Sequence, residues 1–166
     1  MTRSFLDDVS TSMDELEFET SRQFVGDRTG VVGRQSAFRW RWFGVRLDTA
    51  VVVSSFEPGE CSKAALEAFS NAASRYAIDH RMSGKTGPQR GTGVIPVVVT
   101  SDAPAPAVAW ASKPGPRRFA VINHPVVVDV AARQIVQPGR VIVGGMFTPY
   151  LRGIVQSVFS SALGAS

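Results

Sequence analysis

The fold of this chain is constrained most strongly by one apolar run, residues 91–100, with the sequence Gly-Thr-Gly-Val-Ile-Pro-Val-Val-Val-Thr. β-Branched residues that do not alternate with polar ones predict a strand buried on both faces. Other segments must then cover both faces of this strand. Pro96 has no backbone donor, so we expect the strand pairing to be interrupted at that residue.

Three amphipathic segments are suited to cover the strand. Apolar residues at helical spacing predict helices near residues 12–25, 62–81 and 149–163, with a brief fourth helix around 105–111. Ser12 and Glu15 form a candidate capping box, which places the start of the first helix at residue 12. The 166 residues fit one domain. We expect an α/β or α+β domain with a mixed, mostly antiparallel sheet of about five to seven strands packed by three helices.

Residues 30–56 predict the antiparallel part of this sheet. Aromatic residues and arginines alternate there: Phe38, Arg39, Trp40, Arg41 and Trp42. This period-2 pattern is typical of a strand with one buried and one solvated face. On such a strand the two kinds of side chain point in opposite directions. The pattern therefore favours core aromatics with solvated arginines over a stacking platform for single-stranded nucleic acid.

The resulting order of helix, three strands, helix and strand is similar to the αβββαβ core of restriction-endonuclease-like nucleases. In that family an aspartate on the second strand and an acid-x-lysine motif on the third hold magnesium. The nearest acids here, Asp48 and Glu57, are expected in turns, and the chain contains no Glu-x-Lys or Asp-x-Lys. The resemblance implies a degenerate member that does not cleave nucleic acid.

The charges divide the domain into an acidic N-terminal helical segment, residues 1–27, and a basic body, residues 28–166. The segment carries seven acids and two bases, and the body carries seven acids and sixteen bases. An arginine-rich body of this kind can attract nucleic acid. Alternatively, the acidic segment neutralises the body, either in the same molecule or in a neighbouring copy.

A glycine-rich basic loop at residues 83–93 supplies the first candidate site. Its candidate anion- or nucleic-acid-binding residues are Lys85, Thr86, Gln89 and Arg90. Gly84-Lys85-Thr86 resembles the end of a P-loop, but Asp79 stands where that motif needs a glycine. The loop also leads from a helix to a strand, so the negative end of the helix dipole would face a phosphate. Nucleotide hydrolysis is therefore excluded, and the loop is either an anion site or a plain connection.

A second, lower-ranked candidate site contains His124 and Asp129, which could act with a serine or with Cys61 in a hydrolase triad. No Gly-x-Ser-x-Gly elbow supports this interpretation. One cysteine and two histidines are too few for a structural zinc site, so no metal or cofactor is expected.

The surviving patterns favour a binding protein over an enzyme. The N-terminus lacks the apolar core of a secretory signal, and no apolar stretch reaches the roughly 18–20 residues of a membrane span, so we expect a cytoplasmic protein without membrane contact. The predicted function is non-catalytic binding or assembly, through protein–protein contacts or self-association. The alternative is a nucleic-acid-binding or degenerate nuclease-like protein that uses loop 83–93.

Overall fold

The computed structural model of the chain describes residues 2–82, 90–116, 118–139 and 145–164. The helices and strands follow in the order α1 (Thr2–Glu15), β1 (Glu19–Val25), β2 (Arg28–Phe38), β3 (Arg46–Ser55), α2 (Lys63–Asp79), β4 (Arg90–Thr100), α3 (Ala105–Ala111), β5 (Val121–Asn123), β6 (Val126–Asp129), β7 (Gln134–Val136) and α4 (Thr148–Ala162). Two single-turn 3-10 helices, Trp40–Trp42 and Pro58–Glu60, flank β3. The sequence also predicts a short strand at Arg140–Val143, and these residues lie outside the described ones.

The strands form one mixed sheet with the order β1-β2-β3-β4-β6-β7, and β5 pairs with the first part of β4. β2 runs antiparallel to its neighbours β1 and β3, and β4 runs parallel to β3, β5 and β6. β7 returns antiparallel to β6. This arrangement confirms the expected single α+β domain with a mixed sheet.

Helices cover both faces of the sheet. α1 and α4 bury their apolar side chains against one face, and α2 and α3 bury theirs against the other. Along β4, Ile95, Val97 and Val99 belong to the first core, whereas Val94 and Val98 belong to the second. The apolar run is therefore the central strand, buried on both faces as predicted.

Pro96 lies where the pairing of β4 changes partner. Its register with β3 is continuous, with Pro96 opposite Val52. On the other side β5 ends opposite Val94, and β6 begins opposite Val97. Pro96 thus lies in the gap between β5 and β6. No strand is paired with β4 at this point on that side, so the sheet needs no N–H from residue 96 there. The expected interruption is confirmed.

The first helix was predicted in the wrong place. α1 ends at Glu15, and residues 19–25 form strand β1 instead of continuing the helix. The helix stops because Glu17 adopts a left-handed conformation with φ of 64°. The amides of Glu17 and Phe18 then donate to the carbonyls of Asp14 and Met13, both at 3.0 Å, which is a Schellman motif. Ser12 is therefore inside the helix, and it caps nothing at residue 12.

α1 packs on the body of its own chain. Its side chains Phe5, Val9 and Met13 are buried in the core shared with α4. Gly33 on β2 makes this close approach possible, because a Cβ there would lie 2.6 Å from Met13 Sδ. The acidic segment is thus a structural part of the domain.

Candidate nucleic-acid interface

Exposed aromatic and arginine side chains gather at one end of the sheet, where β2 ends and β3, β4 and β5 begin. Phe38, Arg46 and Arg90 are neighbours in register across three strands, spaced about 4.8 Å from strand to strand. Residues 38–46 run from the last residue of β2 to the first residue of β3, and residues 118–120 lead into β5. We call these segments, together with residues 90–91, the aromatic end of the sheet.

The connection from β2 to β3 turns its two tryptophans in opposite directions. Trp42 is only 1% exposed and packs against the rings of Phe147 and Tyr150, at centroid distances of 5.1 and 5.0 Å. Trp40, two residues earlier in the same 3-10 turn, is 86% exposed. Gly44, with φ of 80°, allows the chain to reverse into β3. The strand predicted through Phe38–Trp42 is therefore wrong after Phe38.

The same turn changes where the arginines lie relative to the aromatic rings. A 3-10 turn has about three residues per turn, so alternate residues no longer point to opposite faces. The guanidinium of Arg39 lies 5.7 Å from the ring centre of Trp42 and 5.1 Å from that of Tyr150. Trp42 is a core aromatic and Arg39 and Arg41 are solvated, as expected, but Trp40 is exposed. The prediction that strict alternation separates arginines from aromatics is wrong, so this alternation no longer argues against a stacking platform.

Three aromatic side chains at this end are almost fully exposed to solvent. The exposed fractions are 86% for Trp40, 88% for Phe43 and 91% for Phe119. Phe38 adds a partly exposed ring, in edge-to-face contact with Trp40 at 5.3 Å. Because exposed apolar side chains gathered at one place mark interaction sites, this end of the sheet is the strongest candidate for a binding surface.

The charges of the two ends of the sheet differ in sign. The three segments of the aromatic end contain five arginines and no acid: Arg39, Arg41, Arg46, Arg90 and Arg118. The connections at the opposite end, residues 26–28, 56–62, 101–104 and 129–133, contain five acids and two bases. An anionic partner would therefore approach the aromatic end.

A cavity of about 390 Å³ opens at the aromatic end and brings together two of the residues singled out from the sequence. Arg90 and His124 both line it, with Arg118 and Phe119 on the same cavity. The other three candidates of loop 83–93, Lys85, Thr86 and Gln89, lie outside the described residues. Arg90 is thus the one residue of that candidate site whose surroundings can be described.

His124 is buried at the wall of this cavity, with 4% of its surface exposed. Burial, together with the nearby charge of Arg152, lowers its pKa below the ordinary value, although the contact with Gln137 acts in the opposite direction. The neutral ring donates through Nε2 to the amide oxygen of Gln137 at 3.1 Å. The contact with Gln137 holds the buried ring of His124 in place in the cavity wall.

Asp129 lies far from His124, at the opposite end of the sheet. The two residues are five steps apart along the chain, which is about 16 Å in extended backbone. The carboxylate of Asp129 accepts the amides of Ala103 at 2.9 Å and Ala132 at 2.8 Å, so it fixes the connections that follow β4 and β6. The His124–Asp129 pair imagined for a hydrolase is not assembled.

The structure also corrects the position of Asp48. Asp48 lies within strand β3 and is buried near Arg34, His80 and Arg81, whereas it was expected in a turn. Glu57 does lie in a turn, where its amide is bound by Glu60 at 2.9 Å. Across the part of the chain that the structure describes, no three His, Cys, Asp or Glu side chains are grouped as a metal site would need. The element order matches the αβββαβ pattern, but the nuclease resemblance receives no further support.

Comparisons with known proteins add no functional information. No family model matches the chain, and no significant match was found among curated proteins or solved structures. Within the described ranges, every helix is too short or too polar to cross a membrane.

Sequence reasoning missed Phe43, Phe119, Met146 and Tyr150 as candidate site residues. The available signal was the direct adjacency of arginines and aromatics in two segments that connect secondary-structure elements, Arg41-Trp42-Phe43 and Arg118-Phe119. Connections carry binding residues more often than element interiors do. Their convergence depends on strand order, which the sequence pattern did not provide.

Proposed function

We propose that this protein is a non-catalytic binding protein whose aromatic end binds single-stranded nucleic acid. The observation that carries the proposal is the exposure of Trp40, Phe43 and Phe119 on segments that hold five arginines and no acid. Single-strand-binding surfaces combine aromatic rings, on which bases stack, with a positive track for the backbone.

Each component of the aromatic end has a role in this mode of binding. A ring with a free face offers about 1–3 kcal/mol of stacking energy per base, whatever the base. Arginine suits the phosphates, because its planar guanidinium donates two parallel hydrogen bonds to phosphate oxygens. The proposed preference is for single strands, since bases in a duplex are already stacked on one another.

A protein partner, including a second copy of the chain, is the second candidate for the same surface. Aromatic residues, methionine and arginine are the residue types enriched in the cores of protein interfaces, and Met146 is exposed beside the arginines and aromatics. The charge of the aromatic end favours nucleic acid over an uncharged partner, and the experiment below separates the two.

The proposal is tested with fluorescence anisotropy of a labelled oligothymidylate in the presence of Trp40→Ala, Phe43→Ala and the double variant. Each substitution is expected to weaken binding about fivefold to a hundredfold, the effect of one lost stacking contact. Phe24→Ala is the matched control, because Phe24 is also exposed (74%) but lies on β1 near the opposite end of the sheet. Wild-type binding should weaken steeply as salt is raised.

Three outcomes would contradict the proposal. The first is that the aromatic-end variants bind the oligonucleotide as tightly as wild type does. The second is that the protein binds vesicles containing anionic lipid and no oligonucleotide. The third is that light scattering shows a wild-type dimer which Trp40→Ala converts to a monomer, with no affinity for the oligonucleotide; this result would establish assembly as the function.

A further inference from the structure

A second cavity, of about 400 Å³, lies on the α4 face of the domain. It is bounded by the end of α1, the Trp40–Trp42 turn and the first half of α4. The side chains that decide its chemistry are Arg39, Arg41, Trp42, Tyr150 and Ser157, and Gly153 completes the wall. No acidic residue is among the described residues that line it.

Two neutral polar side chains of this cavity, Tyr150 and Gln35, are joined by a hydrogen bond. The hydroxyl of Tyr150 donates to Gln35 Oε1 at 3.0 Å, and Gln35 Nε2 donates to the carbonyl of Leu16 at 3.0 Å. Burial raises the pKa of Tyr150 although Arg39 acts in the opposite direction, so its phenol stays protonated as a donor. This chain of hydrogen bonds ties α4, β2 and α1 together. The remaining polar character of the cavity is positive.

The positive charge comes from Arg39 and Arg41. Arg39 is oriented by the rings of Trp42 and Tyr150, above which its guanidinium lies. Of the ion pairs formed by described residues, none involves Arg39 or Arg41. An arginine that is held in place and has no carboxylate partner is prepared to bind an anion in two-point geometry.

Gly153 keeps one wall of the cavity open. It lies inside helix α4, and a Cβ at this position would meet no atom within 4 Å. Glycine in a helix interior is less stable than alanine. At Gly153 the helix is therefore less stable than it would be with a side chain, and a side chain at this position would enter the cavity. The exposed apolar surface of the cavity comes from Leu16, Met146 and Pro149.

We propose that this cavity binds a small ligand with a carboxylate or phosphate head, held by Arg39 and Arg41. The flat apolar body of the ligand packs on Leu16, Met146 and Pro149, the exposed apolar side chains of the lining. The proposal rests on the shape and charge of this cavity. Arg39 and Arg41 belong also to the aromatic end, so Gly153→Leu, which changes neither arginine, separates this site from nucleic-acid binding. Carboxylate and phosphate ligands of this kind share one feature, an anionic group attached to a ring.

The test compares four probes by thermal shift: phenyl phosphate, benzoate, inorganic phosphate and benzyl alcohol. Phenyl phosphate, benzoate or both should raise Tm more than inorganic phosphate and benzyl alcohol do at equal concentration, because only the first two combine an anion with a ring. The larger of the two shifts identifies the head group. Arg39→Gln with Arg41→Gln should weaken the preferred probe about tenfold or more, as expected for lost charge-assisted hydrogen bonds.

Gly153→Leu provides the decisive variant, because it fills the cavity at a position where a side chain meets no steric obstacle. It should fold, lose the probe-induced shift, and bind the oligothymidylate as wild type does. Gln156→Leu, at an exposed position on the same helix, is the matched control and should keep the shift.

Two results would overturn the proposal. One is a folded Gly153→Leu protein that responds to the probes as wild type does. The other is a wild-type protein whose Tm none of the four probes raises. Oligonucleotide binding is measured in a separate experiment. A protein that binds no probe in this cavity can still bind nucleic acid at the aromatic end, and a protein that binds no nucleic acid can still bind the probes.

Discussion

At the scale of single residues, one backbone turn determines which of Trp40 and Trp42 is buried. The two side chains are chemically identical and two positions apart, yet Trp40 is exposed and Trp42 is buried beside Phe147 and Tyr150. Strand periodicity predicts the same environment for both residues. Burial of one and exposure of the other follows from the 3-10 turn, which also places Arg39 over the buried ring.

The burial of His124 predicts a dependence of stability on pH. Its pKa is lowered in the folded protein, so protonation favours the unfolded chain, in which the pKa is about 6.5. We expect this contribution to be fully present above about pH 6.5 and to be lost as pH falls through the folded-state pKa. The measurement is urea unfolding at several pH values between about 5 and 8.

His124→Asn should flatten this acid-side loss of stability, even if it lowers stability at every pH. His80→Asn is the control, because His80 is exposed. An unchanged pH dependence in His124→Asn would show that another group causes the acid destabilisation.

At the scale of elements, the end of α1 shows why the first helix and strand were confused. Schellman motifs usually place glycine at the left-handed position, and here that position holds Glu17. The apolar contact that accompanies the motif is made by Met13 and Phe18, which both pack over Gly33. Because no glycine marks the end of α1, the helical spacing in the sequence continues through Thr20 and Phe24. This spacing predicted a helix where the structure has strand β1.

The left-handed conformation of Glu17 predicts that Glu17→Gly stabilises the protein. An L-residue in this conformation costs about 1–2 kcal/mol, and glycine loses about 0.5–1 kcal/mol in chain entropy. We therefore expect the free energy of unfolding to rise by about 0.5–1 kcal/mol. Glu15→Gly, the same exchange inside the helix, should lower it by about 1 kcal/mol. Equal effects of the two variants in urea unfolding would contradict the assignment.

At the scale of the whole molecule, the acidic N-terminal segment is built into the domain. α1 contributes to the core with α4, and β1 extends the sheet at its outer edge. The segment also pairs with the body through Glu19 and Arg34, and a second ion pair, between Asp7 and Arg22, lies within the segment. These ion pairs are exposed and contribute little to stability. The attachment of the segment is therefore hydrophobic more than electrostatic.

Deletion of residues 1–24 is accordingly expected to unfold the protein. The deletion removes Phe5, Val9, Met13 and Phe18, all of them buried. Removing one large core side chain alone costs about 2–5 kcal/mol, and a typical domain has only about 5–15 kcal/mol of stability. Circular dichroism of the truncated chain should show loss of structure.

Asp7→Ala is the control for this deletion, since it breaks only an exposed ion pair and should change stability by less than about 1 kcal/mol. A truncated chain that remains folded and monomeric would show that the segment is a detachable arm.

By itself the sequence determined the layered fold, the central strand with its interruption at Pro96, and the helices α2, α3 and α4. These features rest on local chemistry: runs of β-branched residues, helical spacing, and the missing donor of proline. Residue types alone also showed that the body is basic, and they identified Arg90 and His124 as candidate site residues.

Only the tertiary structure decided which loops meet and which side chains face solvent. Phe38, Arg46 and Arg90 become neighbours because β4 pairs parallel to β3, and Phe119 joins them because β5 pairs with β4. Trp40 points outward, and Arg39 reaches the α4 face, because a 3-10 turn replaces the expected strand. Long-range pairing and a single irregular turn leave no periodic signal in the sequence, and both proposed binding sites depend on them.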